Sequence, residues 1–250
     1  MKFLGLIGYP LTHSFSVDYF AEKFKDLGIT DYEYRNYPIK QIGELKTVLE
    51  DNPGLIGLNV TIPYKEDVIP YLDELDTEAW KIGAVNTIKI TYQKRNRFLK
   101  GYNTDAYGFH HSLIPHLKEY HKNALILGTG GASKAIAYSL KAAGIEYKWV
   151  SRNPEKGQLS YADLCLAIMK KHLLIINTTP LGTFPDVNYF PDIPYDLLTN
   201  KHILYDLVYN PPETKFLEFG RLYKTVCVNG YQMLKLQAER SWEIWTSDSE

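Results

Sequence analysis

The chain of 250 residues has only two cysteines, Cys165 and Cys227. They form no Cys-x-x-Cys pair and no disulfide framework, which suits a reducing compartment. Missing too is any apolar run near the roughly 20 residues of a membrane span. The opening MKFLGLIGYPLTHS carries one lysine and a short apolar run ended by Pro10, too short for the h-region of a secretory signal. These absences predict a cytoplasmic protein that engages no membrane. An excess of one charge is also lacking. Lys and Arg total 28 against 29 Asp and Glu, for a net charge of −1. A general nucleic-acid binder would show a basic excess or stripe, so no nucleic-acid partner is expected. The seven histidines make no His-Glu-x-x-His motif or Cys/His cluster, so no metal is expected either. Neighbouring His110 and His111 point different ways on a helix and read as structural. There is no internal repeat and no low-complexity linker.

What is present is enough apolar sequence for a sizeable core, 45 % hydrophobic against 23 % charged. The length suits one large domain or two of ordinary size. Residues 3–8 form a short apolar run, and 16–28 place Val17, Phe20, Phe24 and Leu27 at helical spacing before Gly28. Residues 32–39 read as a strand, 39–54 as a helix ending at Asn52-Pro53-Gly54, and 55–62 as a strand. AVNTIKITY and RFLKGYNT flank the polar turn QKRN like a hairpin. Strands separated by helices indicate an α/β layer. A helix-like stretch over 104–120 leads to a second unit, whose residues 123–153 run strand, glycine turn, helix, strand. That is the length of one βαβ unit. Residues 172–180 and 202–212 look like further strands, 230–245 like a closing helix, and TSDSE like a frayed tail.

The glycine turn carries the first chemical signal. Gly128, Gly130 and Gly131 follow the apolar strand ALIL and precede a helix. Glycines there allow a tight turn and let backbone N–H groups approach a pyrophosphate at the helix N-terminus. Ser133 breaks the Gly-x-Gly-x-x-Gly pattern, so the order of elements carries the reading. The next strand ends in Ser151-Arg152-Asn153, with no acid to accept from a ribose 2′-OH. A guanidinium fits a 2′-phosphate, which favours NADP. Glu155 lies close by, and Arg152 could also be a plain surface arginine.

Further polar residues stand where apolar strands stop. Leu58, Val60 and Ile62 alternate up to Pro63, and Lys65 follows two residues later. Read alone, Lys65 is a solvated lysine at a helix start. Ser14 and Ser16 are either N-caps or a carboxylate cradle. Asn86 sits in a strand-like stretch where an amide needs partners. Asn103, Thr104 and Asp105 close another strand, and Asp105 alone is an acid at a helix start.

Taken together, GYPLTHSFS, NVTIPYK, GAVNT, GYNTDAYG, GTGGASKA, SRN, NTTPLGT, DLVYNPPET and NGYQMLKLQA follow one another in an order that resembles the shikimate dehydrogenase family. The resemblance covers nearly the whole chain. It implies an N-terminal α/β substrate domain and a Rossmann-like, doubly wound NADP domain. Their expected spans are 1–103 with 231–250, and 104–230. It implies Lys65 and Asp105 as the catalytic pair. Ser14 and Ser16 would hold the substrate carboxylate, and Thr61, Asn86, Asp105, Tyr209 and Gln237 its ring hydroxyls. Gly128, Thr129, Gly130, Gly131 and Ala132 would hold the pyrophosphate. Ser151, Arg152, Asn153 and Lys156 would meet the 2′-phosphate. Asn177, Thr178, Thr179, Leu207 and Gly230 would line the nicotinamide side. The implied partner is shikimate or 3-dehydroshikimate, with the protein a monomer or homodimer.

The departures from the family pattern are few. Val17 stands where the family usually has proline, and Ser151 and Asn153 where it usually has asparagine and threonine. Other readings are a quinate or NAD-dependent dehydrogenase, a non-catalytic ligand sensor on the same fold, and an unrelated α/β dehydrogenase. Keeping both Lys65 and Asp105 argues against the sensor. An unrelated dehydrogenase would leave Ser14, Ser16 and Gln237 unexplained.

Overall fold

The alternating pattern of the first hundred residues becomes β1 (Lys2–Gly8), α1 (Phe15–Asp26), β2 (Tyr32–Pro38), α2 (Leu45–Asp51), β3 (Leu55–Val60), β4 (Glu74–Leu75), α3 (Thr77–Ile82), β5 (Thr87–Gln93) and β6 (Asn96–Tyr102). The remainder forms α4 (Asp105–Leu113), β7 (Asn123–Leu127), α5 (Gly131–Ala142), β8 (Glu146–Val150), α6 (Leu166–Lys171), β9 (Leu174–Asn177), β10 (Ile203–Asp206), α7 (Lys215–Leu222), β11 (Val226–Val228) and α8 (Tyr231–Thr246). The structure is a computed structural model, and it describes residues 1–11, 15–93 and 96–247. The chain divides into two units, Met1–Thr104 with Ala238–Glu250, and Asp105–Gln237. The second division falls inside α8 rather than at its start. Met233, early in that helix, belongs to the core of the second unit.

In the first unit six strands run in the order β2-β1-β3-β5-β6-β4. β1 is parallel to β2 and β3, while β5 is antiparallel to both its neighbours, β3 and β6. The expected hairpin is β5–β6, closed by the pair Gln93 and Asn96. One face of the sheet buries Ile7, Leu58, Val60, Val85 and Ile88. The other buries Leu4, Phe20, Phe24 and Tyr34 together with Ala238 and Trp245 of α8. Period-two alternation along β1 explains this split, since Leu4 and Ile7 point to opposite faces.

The second unit is a five-stranded, all-parallel sheet in the order β11-β10-β9-β7-β8. Ala124, Ile126, Leu174, Ile176, Ile203 and Tyr205 face one side with Phe109, Ile136 and Leu140. Leu125, Leu127, Ile175 and Leu204 face the other with Phe216, Leu217 and Met169. Covering both faces is what an all-parallel sheet requires, and it explains the near-continuous apolar strands. This is the expected doubly wound, Rossmann-like α/β layer.

Two expected helices are shorter than their sequence patterns. The 39–54 stretch is a single 3-10 turn, Ile42–Glu44, followed by α2. The 104–120 stretch keeps α4 only to Leu113, then makes a 3-10 turn over Ile114–His116. Pro115 causes the second break, because proline removes an N–H and crowds the preceding turn. No helix among the described residues is long and apolar enough to cross a membrane.

Candidate functional site

Sheet register decides which polar side chains gather in the first unit. Ile7 pairs with Val60, Asn59 with Thr87, and Thr87 with Tyr102. The ends of β1, β3 and β6 and the start of β5 therefore share one edge. Thr61, Lys65 and Asn86 lie on the segments leaving or entering that edge. Ser16 is the second residue of α1, the helix after β1. Ser14 lies outside the described residues.

Lys65 is not at a helix start. Residues 62–68 form consecutive turns. The Tyr64 N–H donates to the Thr61 carbonyl at 3.0 Å, and the Val68 N–H to the Tyr64 carbonyl at 3.0 Å. The Tyr64 ring is buried, and its hydroxyl donates to the Ile39 carbonyl at 2.8 Å. The Lys65 carbonyl accepts from the Val85 N–H at 2.7 Å. The backbone under this half-buried lysine is thus fixed from both sides, as a positioned acid requires. Thr61 is fixed too, its N–H donating to the Ile7 carbonyl at 3.0 Å.

Behind these residues runs a buried polar network. Ser16, 8 % exposed, lies near enough to the Tyr34 hydroxyl to oppose the upward shift of its phenol. That hydroxyl donates to Asn59 Oδ1 at 2.8 Å. Asn59 Nδ2 reaches the Asn86 carbonyl and Thr87 Oγ1, both at 3.2 Å, and Ser241 Oγ at 3.0 Å. Asn86 Oδ1 accepts from the Thr104 N–H at 2.7 Å, and Asn86 Nδ2 donates to Thr104 Oγ1 at 3.0 Å. Burial pushes the Tyr34 phenol well above its ordinary range, so it stays a neutral donor. The sequence reading singled out Ser16 and Asn86 but missed Tyr34, Asn59 and Ser241. The only local signal for Asn59 was an amide inside an apolar strand.

In the second unit the chain order reverses between β7 and β9, which flank each other while β8 lies on the far side of β7. In open parallel sheets, ligands bind outside the carboxyl ends of the strands at such a switch point. Here that point is made by the turn after β7 and the loop after β9. Gly128 has φ +103, and a Cβ there would meet Thr178 Oγ1 at 2.9 Å and the Thr179 methyl at 3.0 Å. Both conformation and crowding demand glycine. Gly130 has an ordinary φ of −76, and no protein atom lies within 4 Å of where its Cβ would sit. No side chain caps α5, and its first turn carries no acid. Ser133 Oγ folds back to donate to the Gly130 carbonyl at 2.7 Å, which closes the turn without a third glycine. Free space beside backbone N–H groups at a helix start fits a pyrophosphate. Thr129 is exposed on the turn, and Ala132 is half-buried in the first turn of α5.

The loop after β9 is held from beneath. Asn177 is fully buried, and its Nδ2 donates to Asp206 Oδ1 at 2.9 Å. Its Oδ1 accepts from the Thr179 N–H at 3.0 Å and from Thr179 Oγ1 at 2.6 Å. Thr178 Oγ1 donates to the Leu127 carbonyl at 2.7 Å. Leu207 donates its N–H to the Asn177 carbonyl at 3.0 Å, and Gly230 its N–H to the Val208 carbonyl at 3.0 Å. A side chain at Gly230 would collide with the Leu207 carbonyl.

Beyond β8, Ser151 Oγ accepts from the Asn153 N–H at 3.2 Å. Arg152, Asn153, Glu155 and Lys156 are exposed. Arg152 is close enough to oppose the upward shift that burial imposes on the Tyr161 phenol. Among the described residues no carboxylate pairs with the Arg152 guanidinium. An unpaired, exposed guanidinium with hydroxyl and amide neighbours fits a phosphate. The remaining candidates of this unit are Asp105, Tyr209 and Gln237. Asp105 opens α4 and is 6 % exposed. Tyr209 is half-buried, with its phenol raised by burial. Gln237 is 8 % exposed, and its Nε2 donates to the Leu234 carbonyl at 3.1 Å.

Comparison with known proteins agrees with this geometry. Residues 6–88 match the family model described as the shikimate dehydrogenase substrate binding domain. A shikimate dehydrogenase (NADP+) of Methanococcus maripaludis is 37 % identical over 98 % of this chain and 91 % of the relative. A shikimate dehydrogenase structure from Peptoclostridium difficile superposes with TM-score 0.86 at 37 % identity, covering 100 % of this chain and 93 % of that one. The Thermus thermophilus shikimate 5-dehydrogenase, solved with NADP(H) and shikimate, gives TM-score 0.85 at 30 % identity over 98 % and 94 %. With similarity running through both units in sequence and in fold, the chain belongs to the shikimate dehydrogenase family.

Proposed function

We propose that the chain is an NADP-dependent oxidoreductase that reversibly reduces 3-dehydroshikimate to shikimate, a step in aromatic amino acid biosynthesis. The observation that carries this reading is whole-length similarity to NADP-dependent shikimate dehydrogenases in a chain that keeps both Lys65 and Asp105. NADPH, when bound, supplies the hydride that reaches the ring carbonyl carbon.

The chain's own residues do the rest. In this reading the Lys65 ammonium stands at the carbonyl oxygen, stabilises the charge that develops there and gives up a proton to it. The rigid turn beneath Lys65 supports that role. Asp105, the other member of the catalytic pair, accepts from a substrate hydroxyl. Ser14 and Ser16 hold the carboxylate, while Thr61, Asn86, Tyr209 and Gln237 bond the ring hydroxyls. Gly128 to Ala132 hold the pyrophosphate. Ser151, Arg152, Asn153 and Lys156 meet the 2′-phosphate, and Asn177 to Thr179, Leu207 and Gly230 flank the nicotinamide. The span 1–103 with 231–250 serves the substrate, and 104–230 the cofactor.

The test is to mix purified protein with shikimate or quinate and with NADP or NAD, following absorbance of the reduced cofactor. Shikimate with NADP should be the fastest of the four pairings by at least about tenfold. Equal rates with quinate or with NAD would redirect the reading to a quinate or NAD-dependent enzyme. No turnover in any pairing would favour a ligand sensor.

A further inference from the structure

Asp206 is buried at the end of β10, and none of the roles above uses it. Its two oxygens accept from three different segments. Oδ1 takes the Asn177 Nδ2–H at 2.9 Å and the Val208 N–H at 3.0 Å. Oδ2 takes the Thr214 hydroxyl at 2.6 Å. Thr214 is in turn the N-cap of α7, accepting from the Leu217 N–H at 3.4 Å. No Lys or Arg is paired with this carboxylate among the described residues. The half-buried phenol of Tyr195 feels the carboxylate, which helps to raise it.

A buried carboxylate without a cation is costly unless hydrogen bonds replace its water. The core around it could have been closed with an apolar residue. What the carboxylate does instead is hold the Asn177 amide in one orientation. That orientation presents Asn177 Oδ1 to both donors of Thr179. Thr178 and Thr179 are the residues that press on Gly128 and wall the turn after β7. The chain of contacts therefore runs from Asp206 through Asn177 to the wall of the glycine turn.

We infer that Asp206 is a positioning residue for dinucleotide binding, fixing the Asn177–Thr179 loop against the glycine turn through the Asn177 amide. The inference rests on reading that turn as the dinucleotide site. A carboxylate is an acceptor only, so it forces Asn177 to turn its NH2 inward. An alanine at 206 removes that constraint and leaves Asn177 Nδ2 only its longer contact with the Leu181 carbonyl, at 3.5 Å. An asparagine at 206 can keep Oδ1 on Asn177 and Val208 and donate from its NH2 to Thr214, whose hydroxyl can turn to accept.

The test is equilibrium binding of NADPH, read from cofactor fluorescence, on the full chain and without substrate. Asp206→Ala should raise Kd about tenfold, the loss of one hydrogen bond to a charged group. Asp206→Asn should stay within about threefold of wild type. Asn177→Asp, which sets two carboxylates face to face, should be as weak as Asp206→Ala or weaker. KM for shikimate should change less than about twofold in the Asp206 variants. An unchanged Kd in Asp206→Ala overturns the inference, as does equal weakening in Asp206→Ala and Asp206→Asn. If Asp206→Ala does not fold, Asn177→Asp decides, and an unchanged Kd in that variant overturns the inference. Wild-type protein that binds no NADPH would instead overturn the reading of the turn itself.

Discussion

The Thr104 N–H donates to Asn86 Oδ1 at 2.7 Å, so the residue just before Asp105 is registered by the side chain of Asn86. The amide that is proposed to bond substrate thus also fixes the backbone leading into the proposed catalytic acid. Asn86→Ala removes the acceptor that the buried Thr104 N–H uses and should cost about 1–3 kcal/mol of stability. KM for shikimate should rise in the same variant. Urea unfolding alongside steady-state kinetics checks both effects, and a stability within about 0.5 kcal/mol of wild type would disprove the first.

Lys65→Ala should lower kcat by roughly 10²–10⁴, the range for a positioned acid–base group, with KM changed much less. A variant within about threefold of wild-type kcat would remove Lys65 from the chemistry.

Tyr34→Phe tests the network behind Ser16. The substitution keeps the ring against Phe20, where the two centroids are 4.7 Å apart. It deprives Asn59 Oδ1 of its donor. Stability should fall by about 1–3 kcal/mol, and KM for shikimate should shift while NADP affinity holds. Equal loss for both ligands would mean a general loosening of the fold.

Arg152→Ala should cut kcat/KM for NADP about 10- to 100-fold, the loss of a charged phosphate contact weakened by exposure and salt. NAD turnover should stay nearly constant. Equal losses with both cofactors would show that Arg152 is not the selector, and would turn attention to Glu155.

Asp206 gives a pH signature. Burial pushes its carboxyl up to about 6, against an ordinary value of 3.8. The native state therefore binds this proton more tightly than the unfolded chain. The stability it brings is complete below the ordinary value and is lost as pH rises through about 6. Relative to Asp206→Asn, wild type should gain about 1–3 kcal/mol between pH 7.5 and pH 4.5. Paired unfolding curves at the two pH values measure this, and a constant gap would contradict it.

Much of the fold was legible because its signals are local. The β5–β6 hairpin shows in strand alternation around a polar turn. The β7–turn–α5–β8 unit shows in an apolar strand, clustered glycines and a helix within about 30 residues. Pro115 was equally visible, yet the apolar spacing on either side of it suggested one long helix. Residues 39–54 misled in the same way, since helical spacing does not reveal where a 3-10 turn interrupts. The three-residue β11 was missed because so short a strand has no period to detect.

The site divides along the same line. Lys65, Arg152 and the glycines stand at strand ends, where a polar residue interrupts an apolar pattern. Asn59 and Asp206 are defined by partners far away in sequence. Asn59 meets Ser241 across 182 positions, and Asp206 meets Asn177 across 29. Nothing in the residues around Asp206 distinguishes a buried acceptor of three donors from a solvated aspartate in a loop. Only the folded topology brings those donors to it.

The interrupted layout of the first unit has a consequence for its synthesis. Trp245 is 4 % exposed, stacks near Phe20 at 5.8 Å, and donates its Nε1–H to the Ile88 carbonyl at 3.0 Å. Ser241, fully buried, completes the network around Asn59. Both arrive on the ribosome after all of residues 105–237. Until they do, the core of the first unit lacks the indole that packs on Phe20 and Tyr34 and the hydroxyl that meets Asn59. The first unit is thus built from the two extremes of the sequence, and the last turns of α8 close it like a final stitch.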